Sequence, residues 1–137
     1  MLSKSLANQV TLTDVTEDVV IIKINRSYYS GITALELYDI TRGCWRRKIE
    51  SVESAKYALA TYKGEVVEAY KINYWCPASE LHRETFAYNP EIHWNRIGFF
   101  GSVADKAVRE KFVGKSVKNF FKWGEADPVK LIKAGYN

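Results

Sequence analysis

The chain has 137 residues, 47% hydrophobic, 26% charged and 14% aromatic, with a net charge of +4 and a pI near 9.0. That length fits a single domain, 1–137, and no apolar run approaches the ~20 residues of a membrane helix. The N-terminal stretch MLSKSLANQV has one lysine and no apolar core of the secretory kind, and Cys44 and Cys76 are too few and too isolated for a disulfide framework, so a cytoplasmic protein with no membrane partner is expected.

Residues 1–17 are polar and weakly patterned, which predicts a loose N-terminal arm or a short edge strand. Asp18–Ile24 is a β-branched run and predicts a strand buried on both faces. A loop holding Tyr28 and Tyr29 follows. Thr33-Ala-Leu-Glu36 has the form of a capping box, opening a helix to about Thr41 that buries Leu35, Leu37 and Tyr38. Gly43 is placed to end it in the left-handed conformation. Cys44-Trp45-Arg46 reads as a short extended piece and Ser51–Ser54 as one helical turn.

The centre of the sequence is 55–75, AKYALATYKGEVVEAYKINYW. Two apolar runs meet at Lys63-Gly64, a connection that suits a tight hairpin because Gly accepts φ > 0. Pro77, Ser79–Arg83 and Asn89-Pro90 then mark a long loop, with a short strand expected at Glu84–Tyr88. Asn95–Val103 predicts a strand in which Gly98 and Gly101 allow a bulge or close backbone approach. Helices are expected over Ala104–Phe112 and Val117–Trp123, and a last strand over Val129–Ile132. No βαβ rhythm repeats. The order therefore predicts an α+β domain: a curved antiparallel sheet or pseudobarrel with two or three short helices.

No catalytic constellation stands out. Gly114-Lys115-Ser116 lacks the upstream glycine and preceding strand of a phosphate-binding loop. Lys115 and Ser116 can still hold an anion where the next helix opens, or Ser116 can simply cap it. Cys76, His82 and His93 match no compact zinc spacing, nothing marks either thiol as activated, and no metal or cofactor is expected.

The basic residues are uneven. Residues 105–133 hold eight lysines and arginines against four acidic side chains, and Arg42, Arg46 and Arg47 surround Trp45. Arginine pairs phosphate bidentately and a tryptophan face stacks on a base, so Arg42, Trp45, Arg46 and Arg47, with Tyr28, Tyr29, Trp75, Lys115 and Ser116, form the candidate nucleic-acid-binding set. The competing reading makes Trp45 and Trp75 core anchors with arginines reaching past them to solvent.

Trp45, Ala58–Tyr62, Lys63-Gly64, Val66-Val67 and Ile72 resemble the corresponding stretch of the PUA-like superfamily, especially its EVE and ASCH branches. The segments LYDITRGCWR, YKGEVVEAYKI and VGKSVKNFF are also similar to small bacterial and phage proteins. The PUA-like resemblance covers residues 35–75. It implies a pseudobarrel with a cleft near Trp45 and a non-enzymatic module binding RNA or modified or single-stranded DNA. The sequence lacks the aromatic cage of the modified-base readers. Two other functions stand beside that one: a pocket for an anionic metabolite or nucleotide, possibly catalytic, and an interaction subunit meeting a protein partner.

Overall fold

The computed structural model describes residues 8–85 and 87–135. Its elements in chain order are β1 (Val19–Lys23), α1 (Ala34–Arg42), β2 (Gly43–Trp45), β3 (Tyr57–Tyr62), β4 (Glu65–Pro77), α2 (Pro90–His93), β5 (Ile97–Val103), α3 (Lys106–Phe112) and β6 (Val129–Ile132), joined by loops and isolated 3-10 turns. The strands form one six-stranded sheet in the order β2-β5-β4-β3-β1-β6, curled into a half-barrel. The α+β class is as the sequence predicts. One pairing is not: β1 runs parallel to β3, with Val19 opposite Tyr57 and Lys23 opposite Thr61, so the sheet is mixed. A parallel pair needs a crossover, and α1 with β2 provides it.

The β-branched run of β1 is buried on both faces, and its alternate residues feed two cores. Val20 and Ile22 join Ala58, Tyr70, Trp75 and Phe99 on the face that α1 covers. Val19 and Ile21 join Leu59, Val66, Phe112 and Val117 on the opposite face, where α3 packs. Val10 and Val15 are each 1% exposed in that second core, and the Val10 amide donates to the Ser116 carbonyl at 2.9 Å. Residues 8–17 are therefore tied down rather than a loose arm; residues 1–7 lie outside the described set.

The hairpin forms where expected, β3 and β4 meeting at Lys63-Gly64. The Thr33 hydroxyl accepts from the Glu36 amide at 3.1 Å, which starts α1, but the Glu36 carboxylate takes the Tyr29 hydroxyl instead of reaching back. Leu35 is 46% exposed, and α1 buries Asp39, Thr41 and Arg42. Gly43 is extended at φ −177°: it opens β2 directly, and a Cβ there would displace the end of the Arg83 side chain and press on Gly98 Cα at 3.3 Å. The described residues of 84–88 form no strand, and the expected helix at 117–123 is only a 3-10 turn, Lys118–Phe120.

Gly101 fulfils its expected part. The β4/β5 register shifts between Ile72 and Tyr74, and a Cβ at 101 would come within 2.0 Å of the Lys71 carbonyl oxygen. Backbone cannot move aside as a flexible side chain can. Gly101→Ala is expected to lower stability by about 1–3 kcal/mol, read as an earlier urea midpoint. An unmoved midpoint would mean that the close approach carries no weight.

Candidate functional site

Three turns meet beyond the carboxyl ends of the parallel strands β1 and β3, a position where open sheets commonly receive ligands. After β1 the chain folds back, the Ser27 and Tyr28 amides donating to the Ile24 carbonyl at 3.1 and 2.9 Å, which puts Asn25 and Arg26 at the tip. After β3 comes the Lys63-Gly64 turn, whose Lys63 amide donates to Asn25 Oδ1 at 2.8 Å and so latches the two tips together. The third is Lys122–Glu125, closed by Glu125 N–H donating to the Lys122 carbonyl at 3.1 Å, with Gly124 at φ +83° as a type II turn requires.

Between these turns run three neighbouring clefts that share lining residues. The first, about 570 Å³, is lined by Lys23, Lys63, Lys118, Lys122, Phe121 and Trp123, among others. It shares Lys23 and Asn25 with a second of about 460 Å³, which reaches Arg26 and Trp45. It shares Lys63, Gly64 and Lys118 with a third of about 280 Å³, which reaches Ser116. Taken together, these adjoining clefts, called the groove below, are lined by five cations (Lys23, Arg26, Lys63, Lys118 and Lys122) and a single carboxylate, Glu65. Arg26, Lys63, Lys118 and Lys122 are exposed, and none is in an ion pair among the described residues.

The groove wall is fixed from below. Lys23 Nζ donates to the Glu125 carbonyl at 3.0 Å and lies 4.1 Å from the Phe121 ring centroid. Lys130 lies 4.9 Å from the same centroid and donates to the Phe120 carbonyl. The Glu125 carboxylate accepts from the Lys122 amide and from Lys130, contacts that hold its pKa below the ordinary value. Trp123, at the tip of this pinned turn, is 101% exposed. An indole so presented has no packing role in the chain that carries it.

The residues singled out from sequence divide. Trp45 lines one end of the groove, half-buried, its Nε1 donating to the Thr41 carbonyl at 2.8 Å. Ser116 lines the other end, its Oγ accepting from the Lys118 amide at 3.2 Å, so it also caps locally. Tyr28 packs at a tilt against Tyr62, centroids 4.9 Å apart, next to the Lys63 turn. Arg47 pairs with Asp127 at 2.6 Å, close to Pro128 of the second cleft.

Arg42 lies inside the fold and lines none of the clefts. It is 5% exposed, pairs with the fully buried Asp39 and sits 4.4 Å from the Tyr38 ring centroid. Trp75 is a core residue, its ring 5.3 Å edge-on from Phe99. Tyr29 is half-exposed and tied to Glu36. Arg46 is exposed but lines none of the three clefts, and the same is true of the half-buried Lys115, whose carbonyl accepts from the Val66 amide.

Lys23, Arg26, Lys63, Lys118, Lys122 and Trp123 were not legible as a group. They come from three separate segments, and only folding brings them to one place. A local clue did exist: a lysine stands at Lys63, where two-residue hairpins favour Asn or Asp before Gly.

Burial pushes the Cys76 thiol above its ordinary pKa, which works against thiolate chemistry. Among the described residues no three His, Cys, Asp or Glu side chains gather within reach of one ion, and no helix is long and apolar enough to cross a membrane. No protein-family model, curated protein or solved structure matches the chain.

Proposed function

We propose that this groove binds single-stranded nucleic acid, RNA or DNA, and that the protein acts as a binding module rather than a catalyst. The observation that carries the reading is Trp123. A wholly exposed indole on a hydrogen-bonded turn, flanked by exposed lysines, combines a stacking platform with point charges for phosphates. Lysine ammonium groups contact backbone phosphates without reading sequence, so binding tolerant of base identity follows. A kinship to PUA-like domains is part of the same proposal; it rests on residues 35–75 and agrees with an RNA- or DNA-binding role.

The test is a binding titration with short single-stranded oligonucleotides at several salt concentrations. Affinity should fall with salt at a slope of about 0.7 per phosphate neutralised, and a flat response would remove the proposal. Trp123→Ala should weaken binding by about 1–3 kcal/mol while leaving the melting temperature where it was. The first cleft, at about 570 Å³, also falls in the size range of small-molecule sites. A thermal shift with a nucleotide or a carboxylate metabolite, and none with oligonucleotides, would favour an anionic-metabolite pocket instead.

A further inference from the structure

The Lys63-Gly64 turn gives this site a more specific part. Lys63 has φ +51° and Gly64 φ +82°, the positive pair that a two-residue type I′ hairpin demands. Among the described residues Lys63 is the only non-glycine with positive φ. For an L-residue other than Asn or Asp that conformation costs about 1 kcal/mol. The turn's own hydrogen bond does not explain the lysine, because it uses the backbone amide of residue 63, donated to Asn25 Oδ1 at 2.8 Å. Asparagine there would keep the bond and relieve the backbone. What only lysine brings is its ammonium group, which is exposed, lies 5.2 Å from the Tyr62 ring centroid and lines both the first and third clefts.

Gly64 makes a second, independent contribution. A Cβ at this position would stand 2.5 Å from Lys118 Cγ and 2.7 Å from Lys118 Cε, so the stem of Lys118 lies flat across the bare turn. The missing side chain is a seat, and it brings a second ammonium group to the same two clefts. Glu65, the one carboxylate lining the groove, forms an ion pair with neither lysine among the described residues.

We infer that Lys63 and Lys118 are a two-lysine clip for one phosphodiester of the bound strand, and that Lys63 is kept at its turn position against the preference of the backbone. This rests on the groove being a nucleic-acid site. Two ammonium groups act as point charges rather than as a planar fork, so the clip grips the backbone and leaves base identity free.

The experiment uses the full chain, fluorescein-labelled oligothymidylate and oligouridylate, and the variants Lys63→Asn, Lys63→Arg and Trp123→Ala. Lys63→Asn should raise the melting temperature by about 2–4 °C and weaken binding roughly fivefold at 0.1 M salt, with the salt slope shallower by less than about 0.7 because Lys118 still holds the shared phosphate. Lys63→Arg should hold affinity near that of the parent chain without the gain in melting temperature. If Trp123→Ala weakens binding but Lys63→Asn leaves affinity unchanged, the clip is overturned and the groove stands. If Lys63→Asn lowers the melting temperature, the backbone argument is overturned. If the parent chain binds neither oligonucleotide, the groove itself fails and takes the clip with it.

Discussion

Asp39→Ala is expected to cost about 3–5 kcal/mol, the penalty for stripping a buried ion of its partner. The carboxylate is fully buried. One oxygen accepts from Arg42 Nε and Nη2 at 3.2 and 3.1 Å. The other accepts from the amides of Glu84 and Thr85 at 3.2 and 3.1 Å, and from the Thr85 hydroxyl at 2.8 Å. Removing it strands the Arg42 guanidinium inside the fold and frees the loop after β4 from α1. A loss of that size is a large share of the 5–15 kcal/mol that holds a typical domain together. Urea titration reads it directly, and a variant within about 1 kcal/mol of the parent would mean that this network does not hold the loop.

The same carboxylate sets an acid limit. Burial alone would raise its pKa, but the Thr85 hydroxyl and amide and the Arg42 guanidinium outweigh burial and hold it below the ordinary value of 3.8. The folded state therefore binds this proton less readily than the unfolded chain does. The stabilisation is complete above the ordinary carboxyl value and is lost as pH falls through the depressed one. Denaturant midpoints should be flat with respect to this group near neutrality and drop below about pH 4, and Asp39→Asn should remove that component of the drop.

The second large effect concerns the groove. Lys63, Lys118 and Lys122 are exposed and carry no ion pair among the described residues, so changing all three to glutamine should move stability little, since surface substitutions of this kind stay near ±0.5 kcal/mol each. Affinity for single-stranded oligonucleotides should fall by about two orders of magnitude at low salt, with the slope of log affinity against log salt shallower by about 1.4, the phosphate shared by Lys63 and Lys118 and the one at Lys122 counting about 0.7 each. Circular dichroism and melting establish that the variant is folded, and titration reads the loss. A folded triple variant that binds as the parent does would place the ligand elsewhere.

Much of the fold could be read from local chemistry. The Lys-Gly turn between two apolar runs, the Thr33 cap and the β-branched run of β1 each carry their own instruction, and β6 spans the expected Val129–Ile132. The parallel pairing of β1 with β3 could not be read that way, because it depends on where the chain through α1 and β2 brings β3 back to the sheet. Arg42 misled for a related reason. Beside Trp45 and Arg46 it looks like a surface cation, yet Asp39 lies one helical turn away, and the amides that complete the network come from 84 and 85. Trp123 misled in the opposite direction: in Phe120-Phe121-Lys122-Trp123 it completes an apolar helical pattern, while the backbone stops after Phe120 and swings it outward.

β2 pairs with β5 only at Ile97 and Gly98, so the rest of that margin of β5 has no neighbouring strand. Tyr38 of α1 stands there instead: its hydroxyl donates to the Gly101 carbonyl at 2.8 Å and accepts from the Gly101 amide at 2.9 Å. One phenol thus occupies both backbone groups that a foreign chain would pair with at Gly101. At that point of the border, a single oxygen atom stands in the place of a strand.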